Sequence, residues 1–294
     1  MDKNTLGNYG WVVITVIIIS IMIALASPFA VALKGNVVGV TNDFTGRLDD
    51  ALDGISSGAD SSDEEEGSGG SNLPAGGEVD AETGEILDSW EVIINNVNNG
   101  TYVTKYAVGN YKPLDLGNEG VVNMQIAAID ADDMTSGGKA HITWIAKELL
   151  ATKHNMKNAD TDANSWKDSE MRTYLQTDIW ALINPTVQNA IVAVDKTYND
   201  KATGSTKTCS DKVWIPSWRE VGFADGKEDS GVVYSELFTN DASRVKYLSG
   251  TATRWWLRSV NTDYSGIFCL VLNDGDWGSL SGTFTYGIAL SFCF

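Results

Sequence analysis

WWLRSVNTDYSGIFCLVLNDGDWGSLSGTFTYGIALSFCF, residues 255–294, is the stretch whose reading decides the fold. Apolar and β-prone residues come in short runs broken by glycine, asparagine and aspartate, without a helical period. Asn273-Asp274-Gly275-Asp276 joins two of these runs. Asn, Asp and Gly tolerate the left-handed backbone of a tight connection, so this is a hairpin turn. Trp255 and Trp256 put one ring on each face of a strand, and Arg258 calls for a carboxylate partner. The tail therefore reads as strands and turns throughout.

Working outward, strands are expected over Trp90–Val97, Tyr102–Val108, Val121–Ile129, Ala140–Ile145, Ile191–Thr197 and Lys212–Ile215. Trp166–Ile183 is the best helical segment, with Met171, Leu175, Ile179 and Leu182 on one face and Ser165 or Asp168 as its cap. Asn184-Pro185 opens a short helix, Ser217-Trp-Arg-Glu220 has the spacing of a capping box, and Asn240 starts a third helix over Ala242–Tyr247. The class expected is α+β: one compact domain over 85–294, with short helices and a mixed or antiparallel sheet.

The N-terminal third differs. Residues 11–33 (WVVITVIIISIMIALASPFAVAL) carry no charge and are long enough to span a bilayer as a helix. We expect a transmembrane anchor over 1–34. Two other readings of this segment are a signal peptide cut near Ala24-Leu25-Ala26 and pilin-type processing after Gly10. Val37, Val40, Phe44, Leu48, Leu52 and Ile55 form an apolar stripe, so 35–55 is read as an amphipathic stalk helix. Residues 56–84, rich in Ser, Gly and acids, are read as a disordered linker. This organisation places the protein at the cell membrane, single-pass, with its C-terminal domain extracellular. The membrane is then one partner and an extracellular protein or glycan the other. The alternative is a pilin-like subunit that assembles with copies of itself through the N-terminal helix.

Net charge is −18, with 21 Lys and Arg scattered among 39 acids, which argues against nucleic acid as a partner. The three cysteines, Cys209, Cys269 and Cys293, have no metal-ligand spacing. They read as small apolar strand residues, with a Cys269–Cys293 bridge as the other option. His141 and His154 are the only histidines, and no metal or nucleophile motif contains them. His141 reads as a satisfied core residue in an apolar strand. Asp130, Asp132 and Asp133 lack the spacing of a calcium loop. No cofactor, no metal and no catalytic residue is expected.

The segment between the tail's strands mixes aromatic, acidic, hydroxyl and apolar types around glycine turns, as adaptable recognition surfaces do. Its candidate ligand-binding residues are Tyr264, Leu272, Asp274, Asp276, Trp277, Ser279, Leu280, Ser281, Thr283 and Phe284. An ordinary hairpin with Trp277 and Leu280 turned inward is the competing reading. Arg172, Trp255, Trp256 and Arg258 are assigned structural roles.

SWKDSEMRTYL (165–175), KVWIPSWREV (212–221), NDASRVKY (240–247), RWWLRSV (254–260) and YGIALSFCF (286–294) occur in one order. In this they resemble the DUF6273 family, a bacterial domain of exported and phage-encoded proteins, over most of 88–294. More loosely, the WWLRS element and closing strand are similar to C-type-lectin-like and formylglycine-generating-enzyme-like domains, among them the variable proteins of diversity-generating retroelements. That resemblance implies a lectin-like fold and a diversified receptor or adhesin. It places core-type positions at Phe268, Val271, Gly275, Tyr286, Gly287, Ala289 and Phe292, and the candidate binding residues at changeable ones. The catalytic cysteine pair and the Glu-Pro-Asn sugar element of those relatives have no counterpart here.

Overall fold

The computed structural model describes residues 76–159, 165–200, 203–223, 231–261, 264 and 266–294. Its first helix, α1 (Trp90–Asn98), falls where a strand was expected. Ser89 caps it, its side chain accepting from the Val92 amide at 3.4 Å. Val92, Ile93, Asn96 and Val97 are buried, and that spacing belongs to one helical face rather than to strand alternation. The second expected strand is likewise replaced by α2 (Tyr102–Lys105), which buries Tyr102 one helical turn ahead of Tyr106. Residues before the expected boundary at 85 are already packed: Val79 bridges Ile86, and the Gly77 amide donates to Asp88 Oδ2 at 2.5 Å.

The next strands are β1 (Tyr111–Asp115), β2 (Val121–Ile129), β3 (Ile142–Ala146) and β4 (His154–Asn155). The expected long helix is α3 (Glu170–Tyr174), a π-helical turn Leu175–Ile179, and α4 (Trp180–Leu182). Its cap is Ser169, whose hydroxyl accepts from the Arg172 amide at 3.1 Å, rather than Ser165 or Asp168. α5 (Pro185–Ala190) has Asn184 as cap and proline in its first turn, as expected. β5 (Val194–Asp200) pairs in unbroken register with β6 (Ser205–Asp211), a polar strand with no counterpart in the sequence reading, and β7 (Val213–Trp214) follows. At Ser217–Glu220 both capping-box hydrogen bonds form, at 2.9 and 3.1 Å, yet the chain makes only turns before Gly222 takes φ +77°. α6 (Asp241–Arg244) carries a capping box on Asn240. The tail supplies β8 (Tyr247–Leu248), β9 (Thr251–Ala252), β10 (Trp255–Val260), β11 (Ile267–Val271), β12 (Trp277–Ser281), β13 (Thr285–Tyr286) and β14 (Ser291–Cys293).

A five-stranded sheet of order β1-β2-β3-β14-β7 is the largest, and the closing strand sits inside it. A three-stranded sheet, β10-β11-β12, is built wholly from the tail, and every pairing between named strands is antiparallel. The two faces of β10 and β11 serve two cores. Trp256, Phe268 and Leu270 pack into the main one, while Trp255, Leu257, Cys269 and Val271 pack with Trp218, Tyr234 and Phe238. No disulfide joins the three cysteines, and Cys269 and Cys293 are buried.

The expected fold class, an N-terminal transmembrane helix plus a C-type-lectin-like domain, is corrected. The described residues form short helices and antiparallel sheets, and no helix among them is long and apolar enough to cross a membrane. The anchor (1–34), the stalk (35–55) and the linker up to residue 75 lie outside the described residues. No helix among the described residues supports the readings built on that span: a membrane-anchored surface protein, single-pass localisation with an extracellular domain, the membrane as partner, and a pilin-like assembly through the N-terminal helix.

One buried group gives the fold a pH signature. Lys246 is almost fully buried; its ammonium donates to the carbonyls of Ala146 and, at 3.4 Å, Lys147, and faces the Trp255 ring at 5.6 Å. Burial pushes its pKa down to about 7, against the pull of Glu148. The folded value lies below the free one of 10.5, so between about 7 and 10.5 the unfolded chain binds more protons and stability rises with pH. Lys246→Met is expected to flatten that rise. Melting temperatures of the two proteins between about pH 7 and 9, below tyrosine ionisation, measure it; equal slopes would refute the assignment.

Candidate functional site

The edge strand β12 pairs with β11 over five residues, Ile267 with Ser281 through Val271 with Trp277, with no bulge. Trp277, Ser279 and Ser281 therefore share one face, and Gly278 and Leu280 share the other. Trp277 remains 44 % exposed, its ring 5.1 Å from that of Trp218 in a T-shaped contact. The turn before it is anchored from outside. Arg244 Nε donates to the Gly275 carbonyl at 3.1 Å, and Gly275, at φ +88°, sits against the backbone of Asp241. Asp276 Oδ1 accepts from the Trp277 amide at 2.7 Å, and Asp274 and Asp276 are exposed.

At the other end of the strand, the Gly282 amide donates to the Gly266 carbonyl at 3.1 Å, which brings the start of β11 against the 282–284 turn. Here Tyr264 is 66 % and Phe284 53 % exposed, with Phe284 leaning on Tyr286 at 6.4 Å. Thr283 Oγ1 and Ser281 Oγ are 3.0 Å apart, and Ser279 Oγ accepts from Asn261 Nδ2 at 3.0 Å. The ten candidate residues thus form two exposed patches: Asp274, Asp276 and Trp277 at the turn, and Tyr264, Thr283 and Phe284 at the opposite end. Ser279 and Ser281 connect them along β12. Leu272 and Leu280 lean against the main core.

The platform beneath is held by a buried ionic cluster. Arg258, on β10, grips Glu220 through both terminal nitrogens, at 2.5 and 2.9 Å, and donates to the carbonyls of Ile215 and Thr197. Lys196 on β5 reaches Glu220 at 3.0 Å and Asp132 at 2.5 Å, and lies 4.0 Å from the Trp214 ring. Tyr234 and Thr143 donate to Asp132 Oδ2 at 3.0 and 2.6 Å. Burial raises the Glu220 pKa, but Arg258 and Lys196 outweigh it and hold it down to about 2. Lys196 moves up: burial works against its charge, and Asp132 and Glu220 prevail. Arg172, the other arginine assigned a structural role, bonds Asp211 at 2.7 Å beside the Trp166 indole.

Sequence reasoning missed a second constellation. His141 is not a core residue; its side chain is 45 % exposed. Tyr102 donates its hydroxyl to Asp130 Oδ1 at 2.5 Å and lies 2.7 Å from His141 Nδ1, while Nδ1 and Asp130 are 3.1 Å apart. Asp130 holds this geometry at φ +49°, which non-glycine residues rarely adopt. No short spacing links Tyr102 to His141, so no motif could announce them. Among the described residues no group of three or more His, Cys, Asp or Glu is placed to hold a metal ion.

No curated protein and no solved structure matches the chain. A family model described as "Domain of unknown function (DUF6273)" matches residues 141–293, beginning at β3 rather than near 88. That match takes in Lys196, Glu220, Arg258 and all of β10–β12. It covers more than half of the chain, and the protein belongs to the DUF6273 family.

Proposed function

We propose that this domain is a non-catalytic binding module that captures an extended peptide segment as an added strand along β12. The observation that carries this reading is the character of the sheet edge. β12 ends its sheet, keeps regular register, and reads Trp-Gly-Ser-Leu-Ser without charge or proline. Proteins usually blunt such edges with lysine, proline or a bulge, because an open edge invites pairing with another chain. The inward bonds of Asp276 and Gly282 put the even-numbered residues toward β11, so Ser279 turns its backbone N–H and C=O outward at the middle of the strand.

Strand addition also explains why exposed aromatics stand at both ends. Of the four large aromatics exposed among the described residues, Tyr264, Trp277 and Phe284 flank β12, and the fourth is Tyr247. A bound segment of about five residues spans roughly 17 Å, enough to reach from one patch to the other. Main-chain bonds would supply affinity and the flanking rings selectivity. Asp274 and Asp276 favour a basic residue at the turn end.

The test is to pan random peptides of about ten residues on the full chain and titrate an enriched peptide calorimetrically. Trp277→Ala should weaken binding at least about tenfold. Ser279→Pro, which removes the outward N–H and is tolerated at a sheet edge, should abolish it. Thr208→Ala on β6 should leave it unchanged. Peptides that bind equally well to the Ser279→Pro protein, with its melting temperature intact, would overturn the proposal.

A further inference from the structure

A groove of about 740 Å³ runs between α1 and α5, within the size range of small-molecule sites. Its wall is mostly apolar, with Ile94 and Val97 from α1, Met134, Val192 and Phe294, and His141 closes one side. Tyr102 and Asp130 do not line the groove; they hold His141 from behind, both through Nδ1. That leaves the remainder of the ring, with Nε2, as the part facing the groove.

The hydrogen-bond order fixes the tautomer. The Tyr102 hydroxyl is spent on Asp130, so its oxygen accepts from His141, and the neutral imidazole carries its proton on Nδ1. Nε2 is then a lone-pair acceptor, and no partner engages it among the described residues. A histidine oriented by a carboxylate behind it, its free nitrogen at the edge of an apolar groove, is arranged to receive a hydrogen-bond donor. The left-handed backbone at Asp130 is part of what holds the arrangement.

We infer that this groove is a second binding site, independent of β12, for a small apolar molecule bearing one hydroxyl donor of the phenol or alcohol class, which His141 Nε2 accepts. The apolar body lies against Ile94, Val97 and Met134. Asn95 and Asn189, on the two helices, border it and leave room for weaker polar contacts.

The experiment uses the full chain with ¹³C-labelled methyl groups and two probes, 4-methylphenol and its methyl ether, which has the same ring and no O–H. Saturable shifts at the Ile94, Val97, Met134 and Val192 methyls are expected with the phenol, and about tenfold weaker binding with the ether. His141→Phe should bring the phenol down to the ether's affinity, and His141→Gln, which keeps an acceptor, should restore part of the difference. No saturable shift at those methyls, or equal affinity for the two probes, overturns the inference. The two-probe comparison on the unaltered protein decides the matter even where a substitution unfolds the chain.

Discussion

Glu220→Ala is expected to lower the unfolding free energy by about 3–5 kcal/mol, the usual cost of removing one partner from a buried ion pair. Glu220 is buried between Arg258 and Lys196, and its carboxylate also accepts from the Ser217 amide at 2.9 Å. Asp132 remains for Lys196, but Arg258 loses the carboxylate that both its terminal nitrogens grip, at the point where β10 meets Ile215 and Thr197. The same group sets an acid limit. Its folded pKa of about 2 lies below the free value of 4.5. Its contribution is therefore fully present above about pH 4.5 and lost as pH falls toward 2, in total about 3 kcal/mol at ~1.36 kcal/mol per unit. Urea unfolding at a series of pH values should show the wild type and Glu220→Gln converging between about pH 5 and 2. Curves that stay parallel would show that the ionised Glu220 is not what holds the platform together.

The parts of this fold that could be read in advance are those specified locally. The Asn273–Asp276 turn, the Asn184-Pro185 start and the Asn240 cap each depend on residues a few positions apart, and each stands where the sequence puts it. α1 was misread because Val, Ile and Asn favour strands or turns on propensity, while tertiary burial of one helical face decided the outcome. β6 left no trace because Ser-Thr-Lys-Thr-Cys-Ser-Asp has no apolar alternation; β5 beside it defines the register. The ionic cluster pairs Lys196 with Asp132 and Arg258 with Glu220 across distant parts of the chain, so Arg258's need for a carboxylate was legible and its identity was not. His141 hid for the same reason. An apolar-looking strand start and two remote partners gave no hint of a half-exposed ring. At the β12 edge, composition alone selected the aromatics that are exposed, whereas Leu272 and Leu280 were included because facing depends on register, and register is not a property of composition.

Gly275→Ala is expected to cost at least about 2 kcal/mol and to abolish peptide capture, a larger effect than its one added methyl group implies. Two causes add. At φ +88° an L-residue is strained by about 1–2 kcal/mol, and a Cβ built there overlaps the carbonyl of Asp241. Backbone cannot swing aside as a side chain can, so either α6 or the turn must move. α6 is fastened by its capping box and by Arg244, which itself donates to the Gly275 carbonyl, so the turn is the part that yields. That turn carries Asp274, Asp276 and the start of β12, and displacing it takes Trp277 off Trp218 and shifts the strand's register end. Gly137→Ala is the matched control. Its φ is +95°, yet nothing lies within 4 Å of the added carbon, so it bears the conformational cost alone. Urea midpoints should therefore fall for both and fall further for Gly275→Ala, with peptide binding lost only in the latter. Equal losses in the two variants would mean that the contact with α6 does not position the edge strand.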